Sequence, residues 1–275
     1  MANQLRTRVI TALVLLTLLL AVLFSQSFLV FAIAATVFYA AAAWESFRLF
    51  KIRYPLVATA LWTLAFVFMV FQDRFLSAPL LFALCVGIWA VRLFPSLAFG
   101  LPPLASVGNR ILNTIFAVAV FGCFIAIAAL YKHGPLYLLS VMAIVWIADI
   151  GAYFSGKAFG KRKLAPSISP GKSWEGAVGG WLAVLILAAI STGIPALADT
   201  FATHIQIKWN WIGFILVMSV VVAASVAGDL FESQLKRRAG VKDSSSLLPG
   251  HGGVLDRVDA LIPVLPLAVL FDSWL

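Results

Sequence analysis

The sequence predicts an all-α, polytopic integral membrane protein of about nine transmembrane helices, and three observations carry that expectation. Hydrophobic residues make up 63% of the chain and charged residues 11%, with a mean hydropathy of +1.03. That leaves too little polar side chain to clothe a soluble globule of 275 residues. The apolar residues fall in successive runs close to the roughly 20 residues that a helix needs to cross about 30 Å of hydrocarbon. No run alternates apolar with polar residues, which excludes a lipid-exposed barrel.

The first run, Val9 to Phe24, follows Arg6 and Arg8 and ends at Ser25-Gln26-Ser27. It has the outline of a cleaved leader, but its removal would leave eight spans, so it counts as a span. Phe28 to Trp44, Leu56 to Phe71 and Pro79 to Phe94 come next, and then a Gly/Pro-bearing stretch, Phe94 to Asn109, expected along the membrane surface. Ile111 to Leu130, Leu136 to Tyr153, Ala177 to Gly193, Trp211 to Gly228 and Val258 to Leu275 complete the nine. Cys85 and Cys123 fall inside spans and read as buried thiols packing as small apolar groups.

Basic residues set the expected orientation. With the N-terminus in the cytoplasm, seventeen of the twenty Lys and Arg residues lie inside, leaving Arg74, Lys132 and Lys208 outside. The predicted arrangement is N-in and C-out. The net charge of +9 then needs no nucleic-acid partner, because the cations sit where membrane topology puts them and some meet anionic headgroups.

Polar residues divide the chain into two regions. Residues 1–135 carry short connections and read as a transmembrane scaffold. Residues 136–275 hold two polar cytoplasmic loops, 154–176 and 229–257, which face one compartment and can meet. The outer stretch Ile194 to Asn210 holds only Asp199, His204 and Lys208 as ionisable groups and is assigned no chemistry.

Chemistry is expected where charge is dense beside hydrocarbon. Asp229, Glu232 and Ser233 share one helix face by their spacing, and Asp256 and Asp259 repeat the i, i+3 arrangement at the start of the last span. Carboxylates at a membrane edge need compensation, either from a hard divalent cation with oxygen ligands or from helix ends and the neighbouring Lys236, Arg237 and Arg257. In Pro249-Gly250-His251-Gly252-Gly253, three glycines around a histidine let backbone N–H groups approach an anion.

The other loop offers Asp149-Ile150-Gly151, Gly156-Lys157, Lys161, and Ser169-Pro170-Gly171-Lys172-Ser173-Trp174-Glu175. Gly171-Lys172-Ser173 is not a P-loop: the motif needs glycine where Pro166 stands, and no strand is expected upstream. Lysines, hydroxyls and small residues suited to a polyphosphate remain.

The run Ser233 to Asp259 resembles the signature of the phosphatidate cytidylyltransferases. The positions that carry it are Ser233, Lys236, Arg237, Lys242, Asp243, Ser245, Leu248, Pro249, His251, Gly252, Gly253, Asp256, Arg257 and Asp259. Asp149 to Lys161, Ser169 to Gly176 and Gly228 to Ser233 are similar to further family blocks; Gly171 departs, standing where typical members carry a second lysine.

The resemblance implies transfer of a cytidylyl group from CTP to phosphatidate, giving CDP-diacylglycerol and pyrophosphate. It also implies a multi-pass protein of the inner membrane with its active site facing the cytoplasm, and a homodimer. With it, Asp229, Ser233, Asp256 and Asp259 are expected to hold Mg²⁺, with a second cation nearby. Lys236, Arg237, Lys242 and Arg257 are expected on phosphates, and Lys161 and Lys172 over the nucleotide. Ser169, Ser173, Glu175, Asp243, Gly252 and Gly253 complete the expected substrate contacts. His251 is expected to be a phosphate ligand or loop organiser, and Asp149 a metal ligand or a group orienting one. The rival readings are a secondary transporter of a small anionic solute, disfavoured because the charges cluster at one interface, and a CDP-alcohol phosphotransferase, whose Asp-Gly/Ala-Arg pattern is absent.

Overall fold

The computed structural model describes residues 2–72 and 79–273. Arg74 and Leu275, which figure in the expected topology, lie outside the described residues. The chain is an all-α bundle with one small hairpin: α1 Ala2–Leu23, α2 Phe28–Leu49, α3 Pro55–Val70, α4 Pro79–Phe99, α5 Val107–His133, α6 Pro135–Phe159, β1 Lys163–Ala165, β2 Ser169–Ser173, α7 Trp174–Thr192, α8 Phe201–Ala239, α9 Leu255–Val258 and α10 Leu261–Asp272.

Seven of these helices are long and apolar enough to cross a membrane, while α3 and α10 are shorter apolar helices. α9 and α10 run on through αR geometry at Asp259 and Ala260. Large apolar side chains such as Leu13, Leu64, Ile190 and Ile212 stand exposed, as befits surfaces that face lipid.

Several boundaries differ from expectation, each for a local reason. α8 begins ten residues before the predicted Trp211, so much of the outer stretch Ile194 to Asn210 is helical; its non-helical break falls at Asn210, with φ 56° and ψ −173°. At its other end α8 continues to Ala239, so the polar segment after Asp229 is first helix and only then loop. Asp149 and Lys157 likewise sit on α6. Phe94–Phe99 extends α4 instead of lying apart, joined through a π-helical turn at Trp89–Leu93. Pro95 lacks the N–H that would continue the regular ladder, and the wider turn absorbs the mismatch. Strands do form upstream of Lys172: β1 and β2 pair antiparallel, Lys163 opposite Ser173.

Two close approaches position the site. α6 and α7 meet along a stripe of small residues, where a Cβ on Gly176 would stand 2.8 Å from the carbonyl of Ala152 and one on Gly151 would stand 2.9 Å from Ala183. That seam brings the hairpin onto the end of α6. Gly228 lets the turn at Asp259 lie directly on α8, since a Cβ there would stand 2.9 Å from Pro263.

Candidate active site

Helix ends and the hairpin close around a cavity of about 580 Å³ at one end of the bundle. Four cations (Lys157, Lys172, Lys236, Arg257) and five carboxylates (Asp149, Asp229, Asp243, Asp256, Asp259) line it, with Tyr153, Gly171 and Ser173. Nine of the residues expected from sequence thus converge: Asp149, Lys172, Ser173, Asp229, Lys236, Asp243, Asp256, Arg257 and Asp259.

Lys172 pairs with Asp229, tying the hairpin to α8. Ser233, one turn on, donates from Oγ to Asp229 Oδ1 at 3.4 Å. Lys236 is clasped by Glu232, its i−4 neighbour on α8, and by Asp256 Oδ1 at 2.6 Å. Asp256 Oδ2 accepts the N–H of Ser244 at 2.9 Å, the Ser244 hydroxyl at 2.8 Å and the N–H of Gly253 at 2.7 Å. Burial pushes the Asp256 carboxyl up, but Lys236 and the N–H donors outweigh it and hold the group below its ordinary value. Gly252 is required by this geometry: its φ is +81°, and a Cβ would stand 2.6 Å from Asp256 Oδ2.

Other expected residues frame the cavity without lining it, and Ser173 does both. Ser173 caps α7, its Oγ accepting the N–H of Gly176 at 3.1 Å. Glu175 spends its carboxylate on the backbone N–H groups of Lys161 at 3.0 Å and Arg162 at 3.2 Å, fixing the approach to the hairpin. Ser169 opens β2, and Lys161 and Lys242 are exposed. Arg237 reaches the carbonyl of Val241 at 3.5 Å. His251 donates its N–H to the Leu248 carbonyl at 2.9 Å, and its buried Nδ1 has no partner among the described residues.

Glu45, on α2, was missed by the reading of residues 1–135 as scaffold. Fully buried, it accepts the hydroxyls of Ser244 at 3.1 Å and Ser245 at 2.5 Å and the N–H groups of Val254 at 3.1 Å and Leu255 at 2.6 Å. One carboxylate thus satisfies the exposed N-terminus of α9 and pins both ends of the signature loop. The signal was present: Glu45 is one of only two acidic residues among the first 135, directly after an apolar run. α1 also participates, Thr11 Oγ1 donating to the Pro249 carbonyl at 3.0 Å.

Asp229 and Asp259 line the same cavity. Asp259 keeps one hydrogen bond, from the N–H of Ala260 at 2.8 Å. Asp256, also expected as a metal ligand, has both oxygens engaged by Lys236, Ser244 and Gly253. Asp229, Asp256 and Asp259 line one cavity, yet among the described residues no three carboxylates there bring oxygens within 4.8 Å of one another.

Fold and site together define a polytopic membrane protein that gathers cations and carboxylates in one cavity at an end of its helix bundle. The chain belongs to the cytidylyltransferase family, whose model matches residues 6–274. It is 38% identical to the phosphatidate cytidylyltransferase of Haemophilus influenzae over 96% of both chains. It is 50% identical to that of Pseudomonas aeruginosa over 50% of this chain and 48% of the other. Against that of Bacillus subtilis the identity is 41%, over 58% of this chain and 56% of the other.

Proposed function

We propose that this chain is a phosphatidate cytidylyltransferase, making CDP-diacylglycerol and pyrophosphate from CTP and phosphatidate. Full-length similarity to a relative of that name supports the reading, and one observation of the site carries its chemistry. Lys172 from the hairpin, Asp229 and Lys236 from α8, and Asp256, Arg257 and Asp259 from the α9 region surround one cavity. Both reactants are phosphate-rich anions and one is a lipid, so the site must combine cations with metal ligands beside the bilayer.

Carboxylates outnumber cations in the lining, five to four. Two polyanions do not settle there without added positive charge, which supports Mg²⁺ as cofactor. Mg²⁺ needs only one or two carboxylates besides substrate phosphates, and Asp229, Asp259 and Ser233 suit it; a second cation is accommodated by the same group. When bound, the metal polarises the α-phosphate of CTP and neutralises the leaving pyrophosphate. Asp256 serves by holding Lys236 and the signature loop in place.

In the proposed reaction the phosphate oxygen of phosphatidate attacks the α-phosphorus of CTP in line, and the bond to pyrophosphate breaks. The nucleophile is already largely ionised at neutral pH, so no strong base is required. Lys236 and Arg257 steady phosphate oxygens, Lys172 approaches from the hairpin, and Arg237, Lys242 and Lys161 extend the cationic rim. His251 presents its free Nδ1 as a loop or phosphate contact.

The topology we propose has nine crossings, with α3 and the α9–α10 pair counted, the N-terminus and the site on the cytoplasmic face of the inner membrane, and two copies pairing. The distribution of basic residues supports it, as does the contact of Thr11 near the N-terminus with the signature loop.

Purified protein incubated with radiolabelled CTP, Mg²⁺ and phosphatidate should move label into the organic phase, and omission of either Mg²⁺ or phosphatidate should abolish it. Folded protein that transfers no label, or that moves a small anion into vesicles without CTP, overturns the reading.

A further inference from the structure

Far from the cavity, three helix ends and a loop bring the chain's two other histidines together. His133 is the last residue of α5, His204 lies in the first turn of α8, and Asp272 ends α10. One ligand atom from each lies within 4.8 Å of the other two, the one such grouping among the described residues. On α8 the unbroken helix from Trp211 to Asp229 rises about 27 Å, with His204 beyond its far end, so this cluster and the catalytic cavity occupy opposite ends of the bundle.

We propose that His133, His204 and Asp272 form a binding site for a divalent transition metal of the Zn²⁺ type that ties the outer ends of α5, α8 and α10 together. Two imidazoles and a carboxylate are a borderline-soft donor set, which favours zinc over Mg²⁺. His133 Nδ1 stands 3.4 Å from Asp272 Oδ1. That is longer than a good hydrogen bond but matches the spacing of about 3.3–3.6 Å between neighbouring ligands around a tetrahedral ion with bonds of about 2.0–2.2 Å.

The surroundings hold the donors as a metal site requires. Tyr137 donates its hydroxyl to Asp272 Oδ1 at 2.8 Å and stacks on the His133 ring, centroids 3.8 Å apart. Asp199 Oδ1 stands 3.2 Å from His204 Nε2, the position of a carboxylate that fixes imidazole orientation from behind, and 3.5 Å from His133 Nε2. Electrostatics agree: Asp272 and His133 lie at the C-terminal ends of their helices, where the aligned backbone dipoles disfavour an anion and favour a cation. A bound ion offsets the cost of placing Asp272 there.

The test uses full-length protein in detergent, stripped with chelator and titrated with Zn²⁺ in a metal buffer, with metal content, melting temperature and the visible spectrum of the Co²⁺ form as readouts. Wild type should take up about one Zn²⁺ per chain with a rise in melting temperature and a Co²⁺ band typical of low coordination number. The H133A/H204A double variant should lose at least tenfold in affinity and the thermal shift, while cytidylyl transfer with Mg²⁺ persists and reports that the protein is folded. Should that variant not fold, Asp199→Asn serves, with an expected loss of roughly 10–100-fold in affinity. Equal zinc uptake by wild type and all these variants, no uptake by wild type, or uptake lost only in Asp229→Asn overturns the proposal.

Discussion

Residues 136–275 and residues 1–135 differ in what their polar groups do. The later region presents its carboxylates and lysines to a cavity, where Lys172, Asp229, Lys236 and Asp256 already engage one another. Among the described residues the earlier region places a single buried carboxylate, Glu45, and spends it entirely on the backbone and hydroxyls of the later one. Part of what holds the reactive groups therefore lies in the other region, and a site that looks confined to half of the sequence needs the other half to take shape.

The largest expected effect tests the reactive side. Asp259→Asn replaces a carboxyl oxygen in the cavity lining by an amide nitrogen of the same size, and turnover should fall roughly 10³-fold, about 4 kcal/mol of transition-state stabilisation, in protein that still melts cooperatively. Near-normal turnover would remove Asp259 from the reaction.

Next comes the holding side. Glu45→Ala leaves the Ser245 hydroxyl and two N–H groups without their acceptor and the Ser244 hydroxyl with Asp256 alone, so stability should drop by about 3 kcal/mol or more and turnover by roughly 100-fold. Glu45→Gln, which keeps one acceptor oxygen, should recover part of both. If both variants match wild type in melting and turnover, residues 1–135 are inert support and the comparison fails.

The smallest effect is pH-dependent. Asp256 has its carboxyl pKa lowered in the folded chain, so its contribution to stability is complete above the unfolded value of about 3.9 and disappears as pH falls through the lower folded value. The melting-temperature gap between wild type and Asp256→Asn should be steady at pH 6 and narrow as the pH drops below about 4. A gap that stays constant across that range would separate Asp256 from Lys236 and the loop N–H groups.

What the sequence made legible, and what it hid, follows from the range of the interactions. The apolar runs announced the helical bundle because hydrocarbon length is a local property of the chain. The break in α8 at Asn210 was visible as the start of the expected span at Trp211, although the polar His204, Gln206 and Lys208 disguised the helix before it. Asp229, Lys236, Asp256 and Arg257 stood out because charge beside hydrocarbon is conspicuous. The β1–β2 hairpin was hidden in segments too short to show alternation, and its pairing depends on the seam between α6 and α7. Neither Glu45 nor the meeting of His133, His204 and Asp272 could be read from spacing, since each joins parts of the chain that only the folded bundle makes neighbours.

Glu45 and Ser244 are 199 residues apart in the chain. At a synthesis rate of about 5–20 residues per second, α2 waits roughly 10–40 s in or beside the membrane before its partners emerge from the ribosome. Throughout that interval the carboxylate has to be kept wet, protonated or sheltered by the insertion machinery. The later segment is then received by a docking point laid down earlier, so the order of translation is itself an assembly instruction.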